Sequence, residues 1–196
     1  MSDYYVIQVP APAGAGVIDS YPPGGPADWR YHEAVSLRDA YPKGATMKFS
    51  RNFPDGRVLL DFVPNILMAL IVSPKARKVI DTLEVRNAEF LPVTILDHRG
   101  GVAGEDYAIL NLIGTEDAID RSASTLRMSA LIPAEIDRVK KMVLEKKAIS
   151  PDAKMFRCRN AARVMLARDD VRAAFEKAAL TGPVLIPPAD WNGLHL

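Results

Sequence analysis

Between Pro10 and Asp28 the chain carries five prolines, Pro10, Pro12, Pro22, Pro23 and Pro26, together with Gly14, Gly16, Gly24 and Gly25. No other feature constrains the fold as strongly. Proline locks φ and lacks a donor, and glycine has the most backbone freedom to lose, so neither a helix nor an unbroken strand runs through such a segment. It is read as a loop. Its apolar members Val17, Ile18 and Tyr21 suggest that it lies along the protein surface, since a solvated linker is more uniformly polar. Trp29, Tyr31 and Tyr41 follow with enough aromatic area to anchor the segment. It is therefore kept inside a single globular domain over 1–196, with a Pro/Gly-rich N-terminal part at 1–58 and a core at 59–190.

Regular structure is legible on both sides of that loop. Tyr4 to Val9 is a short β-type run ending at Pro10. Ala69 to Val72 reads as a buried strand, after which Ser73 caps a helix and Pro74 takes its first position, where a missing N–H costs nothing. That helix runs to about Leu83, with Ala76, Val79, Ile80 and Leu83 on one face. Glu89 to Asp97 and Tyr107 to Ile113 form a hairpin joined through His98-Arg99-Gly100-Gly101 and Gly104, and Pro92 argues for a strand edge or a bulge. Glu135 to Lys147 fits a helix through Ile136, Val139, Met142 and Val143, or a strand through Met142-Val143-Leu144. Met155 to Arg159 is a strand, Arg168 to Ala179 a helix and Val184 to Ile186 a closing strand.

Two stretches share a plan. Ile71-Val72-Ser73-Pro74 opens a helix leading to Phe90-Leu91-Pro92, and Met165-Leu166-Ala167-Arg168 opens one leading to Leu185-Ile186-Pro187. This is a weak duplication or a chance recurrence of a common unit. The fold class is α+β, a mixed or antiparallel sheet with two or three helices.

Charge excludes some functions. The 196 residues hold 25 Lys+Arg against 24 Asp+Glu, a formal net of +1, without the basic excess of a general nucleic-acid binder. The longest nearly uncharged run, Phe62 to Pro74, is too short for a membrane span. With no export signal near Met1 and one free cysteine, the expected compartment is the cytoplasm. The balance is nevertheless uneven: Ala134 to Arg163 has nine basic and four acidic residues. That asymmetry suits an acidic partner, although idle solvated lysines are commoner.

Chemistry-bearing residues do not assemble into a recognisable site. Cys158 shares a strand face with Phe156 and reads as a packed thiol, with Arg157 and Arg159 on the other face. His32, His98 and His195 lack metal-ligand spacing, so neither metal nor cofactor is expected. Glu116, Asp117 and Asp120 suit a cation or acid–base work, yet Asp120 ahead of Ser122 and Ser124 reads equally as turn chemistry. For contact with a partner, the candidates are Tyr21, Trp29 and Tyr31 in the aromatic loop and Lys140, Lys141, Lys146 and Lys147 in the basic segment.

From Leu59 to Pro187 the order of segments resembles the eleventh immunity-protein family of bacterial polymorphic toxin systems. Asp61-Phe62-Val63-Pro64 leads to Ile71-Val72-Ser73 and its helix, then Glu89-Phe90-Leu91-Pro92-Val93, Tyr107 with Leu110-Asn111, and Ala118-Ile119-Asp120 with Ser122. Phe156-Arg157 and the late helix ending at Leu180-Thr181-Gly182 complete the pattern. The resemblance implies a non-enzymatic antitoxin of α+β fold that binds a cognate toxin protein, and it supplies no catalytic residue. Two other readings stay open: a small hydrolase or transferase using Glu116, Asp117 or Asp120, and a structural adaptor of a secretion system.

Overall fold

The computed structural model describes residues 3–193, and His195 lies outside the described residues. The strands are β1 (Tyr4–Gln8), β2 (Thr46–Lys48), β3 (Leu70–Val72), β4 (Ala88–Leu96), β5 (Val102–Leu112), β6 (Thr115–Glu116), β7 (Thr125–Met128), β8 (Ile136–Lys141), β9 (Met155–Cys158), β10 (Ala161–Arg168) and β11 (Val184–Ile186). Two helices, α1 (Pro74–Thr82) and α2 (Asp169–Lys177), follow β3 and β10. A five-stranded sheet has the order β11-β1-β10-β9-β6, a four-stranded sheet the order β2-β4-β5-β3, and β7 pairs with β8 alone. The class is α+β, mostly sheet, with antiparallel pairs throughout except β2 on β4 and β6 on β9.

Local chemistry explains α1 directly. Ser73 accepts a hydrogen bond from the Ala76 amide, Pro74 opens the helix, and Ala76 and Ile80 turn inward. Pro92 sits in register opposite Ala108, and β2 flanks β4 only from Thr94 to Leu96, so this proline falls where no second strand runs beside it. The β5 strand starts well before the expected Tyr107. Register shifts between Val93 and Leu96, with Asp106 at φ 58°, accommodate the extra residues of β5 on either side of Gly104 and let pairing continue to Val102. The ambiguous segment after Glu135 resolves as strand β8, followed by a single 3-10 turn at Lys146–Ala148.

The shared plan recurs in the structure: the strand after each helix aligns as the sequence suggested, Leu91 with Ile186, and the strand before it is shifted by one residue, Ile71 matching Leu166 in place of Met165. In the first unit Ile71 of β3 and Leu91 of β4 both face Ile109 of β5. Leu166 of β10 and Ile186 of β11 both face Val6 of β1 in the second. A single constant offset then pairs Ile71 with Leu166, Ser73 with Arg168, Ala76 with Val171, Ile80 with Phe175 and Leu91 with Ile186. Each helix is nine residues long. Each is closed by the same turn, with Glu84 at φ 53° and Ala179 at φ 46°. The middle strand reaches its place from opposite directions along the chain: β5 by a hairpin after β4, β1 from the N-terminal end.

One apolar cluster joins the two units. Ile7, Phe62, Leu110, Met165, Val171 and Phe175 meet Leu70, Val72, Ala76 and Ile80 there, and full burial of such side chains contributes about 1.5–3 kcal/mol each. Along the seam Asp61 accepts hydrogen bonds from Ser73 Oγ, Thr181 N and Thr181 Oγ1. Gly182, at φ 103°, lies so close to Phe62 that an added Cβ would stand 2.3 Å from its carbonyl oxygen.

The proline–glycine run is more deeply held than a surface loop. Val17, Ile18 and Tyr21 are buried, because backbone bonds stitch the run to its neighbours: Gly16 N donates to Val58 O, Ile18 N to Pro64 O and Ser50 N to Val17 O. Satisfying the backbone groups internally is what allows the segment to leave water.

Candidate functional site

The β7–β8 hairpin separates two chemistries, its strand alternation reset by register shifts between Thr125 and Leu126 and between Arg127 and Met128. Leu126, Ile136 and Val139 pack onto a third apolar cluster with Tyr4, Ile119, Met142, Phe156 and Trp191. The opposite side holds Arg127, paired with Asp137 at 2.6 Å, and Arg138. A register shift between Thr125 and Leu126 leaves consecutive Lys140 and Lys141 both exposed. Among the described residues neither lysine side chain has an ion-pair or hydrogen-bond partner, and Lys147 is likewise exposed and unpaired. Lys146 differs: its ammonium is bonded to Asp3.

The aromatic candidates divide in the same manner. Tyr21 and Tyr31 are only 7% and 3% exposed and stack with ring centroids 3.8 Å apart. Burial pushes both phenols up, that of Tyr31 to about 12. Trp29 is 62% exposed and is the member of the trio whose side chain lies at the surface. The tyrosines belong to a different apolar cluster from the one under the hairpin, so the structure does not gather the aromatic and basic candidates into one packing unit.

Arg157 was expected to face away from the core and instead lies buried within it. Its guanidinium donates to the carbonyls of Leu112 at 3.0 Å, Ala162 at 2.7 Å and Tyr31 at 3.2 Å, tying both large sheets to the N-terminal part. Burial lowers its pKa to about 10, so it stays charged at neutral pH, held by carbonyl dipoles. Cys158 is fully buried as expected, and burial pushes its thiol up, away from the nucleophilic form.

A shallow cleft of about 270 Å³ does lie beside Asp117 and Asp120. The neighbouring carboxylates are each occupied structurally. Glu116 accepts from Ser150 N and Oγ, and Asp117 pairs with Arg159 at 3.6 Å. Asp120 accepts from Ser122 Oγ, Ala123 N and Ser122 N, and the Ser122 hydroxyl leads in lowering its pKa. A carboxyl held ionised in this way makes a poor acid and a weakened base. Among the described residues no group of three His, Cys, Asp or Glu is arranged to hold a metal, and no helix is long and apolar enough to cross a membrane.

The residues that sequence reasoning passed over are at the hairpin tip. Leu131 is 92% exposed, Ile132 51% and Met128 39%. Their signal was present: Ala130-Leu131-Ile132-Pro133 is an apolar run at a chain reversal, where polar turn residues are the rule.

Comparison with curated proteins finds no match to the chain. A family model described as "Immunity protein family (Imm11)" matches residues 4–190, so it takes in both strand–helix–strand units, the buried Arg157 and the basic hairpin. The chain belongs to the Imm11 immunity protein family.

Proposed function

We propose that this protein neutralises a cognate bacterial toxin by binding it and covering its working surface, without transforming a substrate itself. The observation that carries the reading is the match to an immunity family over residues 4–190. The exposed cations Lys140, Lys141 and Lys147 and the exposed Trp29 support it, since exposed basic and aromatic side chains are what steer and anchor an acidic protein partner. Lys146, Tyr21 and Tyr31 contribute indirectly, by holding the framework behind those contacts. The chain acts as one domain in the cytoplasm, where the toxin meets its target.

Co-expression with the toxin encoded by the adjacent gene tests this. Growth is rescued and the two proteins co-purify as a stoichiometric complex. Rescue without complex formation, or turnover of a substrate that a single replacement at Glu116 abolishes, would overturn it. A self-assembled ring or filament seen by size exclusion would instead favour the adaptor role.

A further inference from the structure

The β7–β8 hairpin carries its apolar tip in a fixed shape. Leu131 N and Ile132 N both donate to Ser129 Oγ at 3.2 Å, Glu135 N donates to Ile132 O and Ser129 N to Glu135 O at 2.8 Å. Behind the tip, the Arg127–Asp137 pair braces the two strands, and the inner face is seated on the third cluster. A loop wired in this way has already lost the backbone freedom that a binding loop must otherwise give up on association. It presents Leu131, Ile132 and Met128 to water, an arrangement of no benefit to the fold. Charge is balanced next to the tip and one-sided toward the base of the hairpin, where Lys140 and Lys141 stand: from Arg121 to Lys147 there are seven basic residues and three acidic ones.

Resting on the immunity reading, we infer that the hairpin tip is the inhibitory wedge: Leu131, Ile132 and Met128 enter an apolar cleft of the toxin whose rim carries carboxylates that meet Arg138, Lys140 and Lys141. The apolar tip supplies the slow dissociation and the basic strand the fast association. Anionic membrane would also attract lysines beside an apolar loop. Three apolar side chains and a modest positive charge make a marginal membrane anchor, however, and the rigid hydrogen-bonded tip suits a shaped cleft better than a fluid interface.

The probe is the purified toxic domain encoded by the adjacent gene, titrated against the full chain, its Leu131→Asp variant and its Lys140→Glu/Lys141→Glu variant. Leu131→Asp leaves Tm unchanged and weakens binding at least about 30-fold. The lysine pair slows association about tenfold at low salt and less at high salt. Because Cys158 is buried, Leu131→Cys creates a unique reactive thiol, and the toxic domain protects it from a maleimide. Toxin binding equal for wild type and Leu131→Asp overturns the wedge and leaves the immunity reading intact. Failure of the wild-type chain to bind the toxic domain overturns both. The wedge is equally overturned if Leu131→Asp spares toxin binding but abolishes either association with phosphatidylcholine–phosphatidylserine vesicles or self-association of the chain.

Discussion

The two strand–helix–strand units are built to one register and finished with different chemistry. In the first, α1 starts on Ser73, whose hydroxyl caps the Ala76 amide, and on Pro74. In the second, the equivalent residue is Arg168, which caps nothing and instead grips Asp170 through two nitrogens. Backbone geometry is nevertheless the same, with φ −72° and ψ 165° at Ser73 and φ −73° and ψ 162° at Arg168. The difference teaches that packing against the shared cluster sets the geometry, while capping adjusts its stability; the acidic first turn of α2, Asp169 and Asp170, complements the helix dipole in place of a cap.

That comparison breaks most readily in the core. Phe175→Ala is expected to cost about 3–5 kcal/mol and its counterpart Ile80→Ala about 2–5 kcal/mol in urea unfolding. A negligible effect at either position would mean that only one unit relies on the common cluster. Next comes the seam. Asp61→Ala removes the acceptor for three donors and is expected to cost about 2–3 kcal/mol. Gly182→Ala forces a Cβ against Phe62 and should unfold at a clearly lower temperature, whereas an unchanged Tm would show that the units are not clamped there.

Proton linkage sharpens the same seam. Burial works to raise the pKa of Asp61, and the hydrogen bonds from Thr181 N, Ser73 and the Thr181 hydroxyl, with the charge of Lys75, outweigh it and hold the carboxyl below its ordinary value. Its contribution is therefore fully present above the unfolded pKa and is lost as pH falls through the lower folded one. Thermal unfolding of Asp61→Asn should show a flatter acid limb than wild type. The N-terminal part, by contrast, responds at milder pH. Burial, then Arg163 and Arg157, lower the His32 pKa from 6.5 to about 4. The unfolded chain takes up that proton first, so stability declines as pH falls from about 6.5 to 4, and His32→Asn should remove this part of the profile. At the cap, Ser73→Ala removes both the acceptor for the Ala76 amide and one donor to Asp61 and is expected to cost about 1–2 kcal/mol in urea unfolding, whereas Arg168 offers no cap to lose.

Much of the framework was legible. Ser73-Pro74, the stripe through Ala76 and Ile80, and the β-branched run around Ile71 state their structures locally, because capping, helical spacing and strand propensity act over a few residues. Arg157 was not legible. Alternation from Phe156 places it on an outer face, yet β9 lies between β10 and β6 with the N-terminal part beside it, so both of its faces are covered. The proposed contact residues were half legible. The excess of basic residues from Ala134 to Arg163 revealed the charge of β8, but whether Tyr21, Tyr31 or Leu131 is covered depends on which segments pack over them.

By itself the sequence determined the helices α1 and α2, the strands around β1, β3, β4, β9 and β11, the loop character of the proline–glycine run and the buried state of Cys158; it left β8 open between helix and strand and gave no sign of β2, β6 or β7. Only the tertiary structure decided that β1 and β5 occupy equivalent middle positions, that a guanidinium joins two sheets, and that an apolar tip is left in water. Local interactions write the first set within a turn or two of chain. The second set depends on contacts between residues far apart in sequence, whose geometry no short stretch encodes.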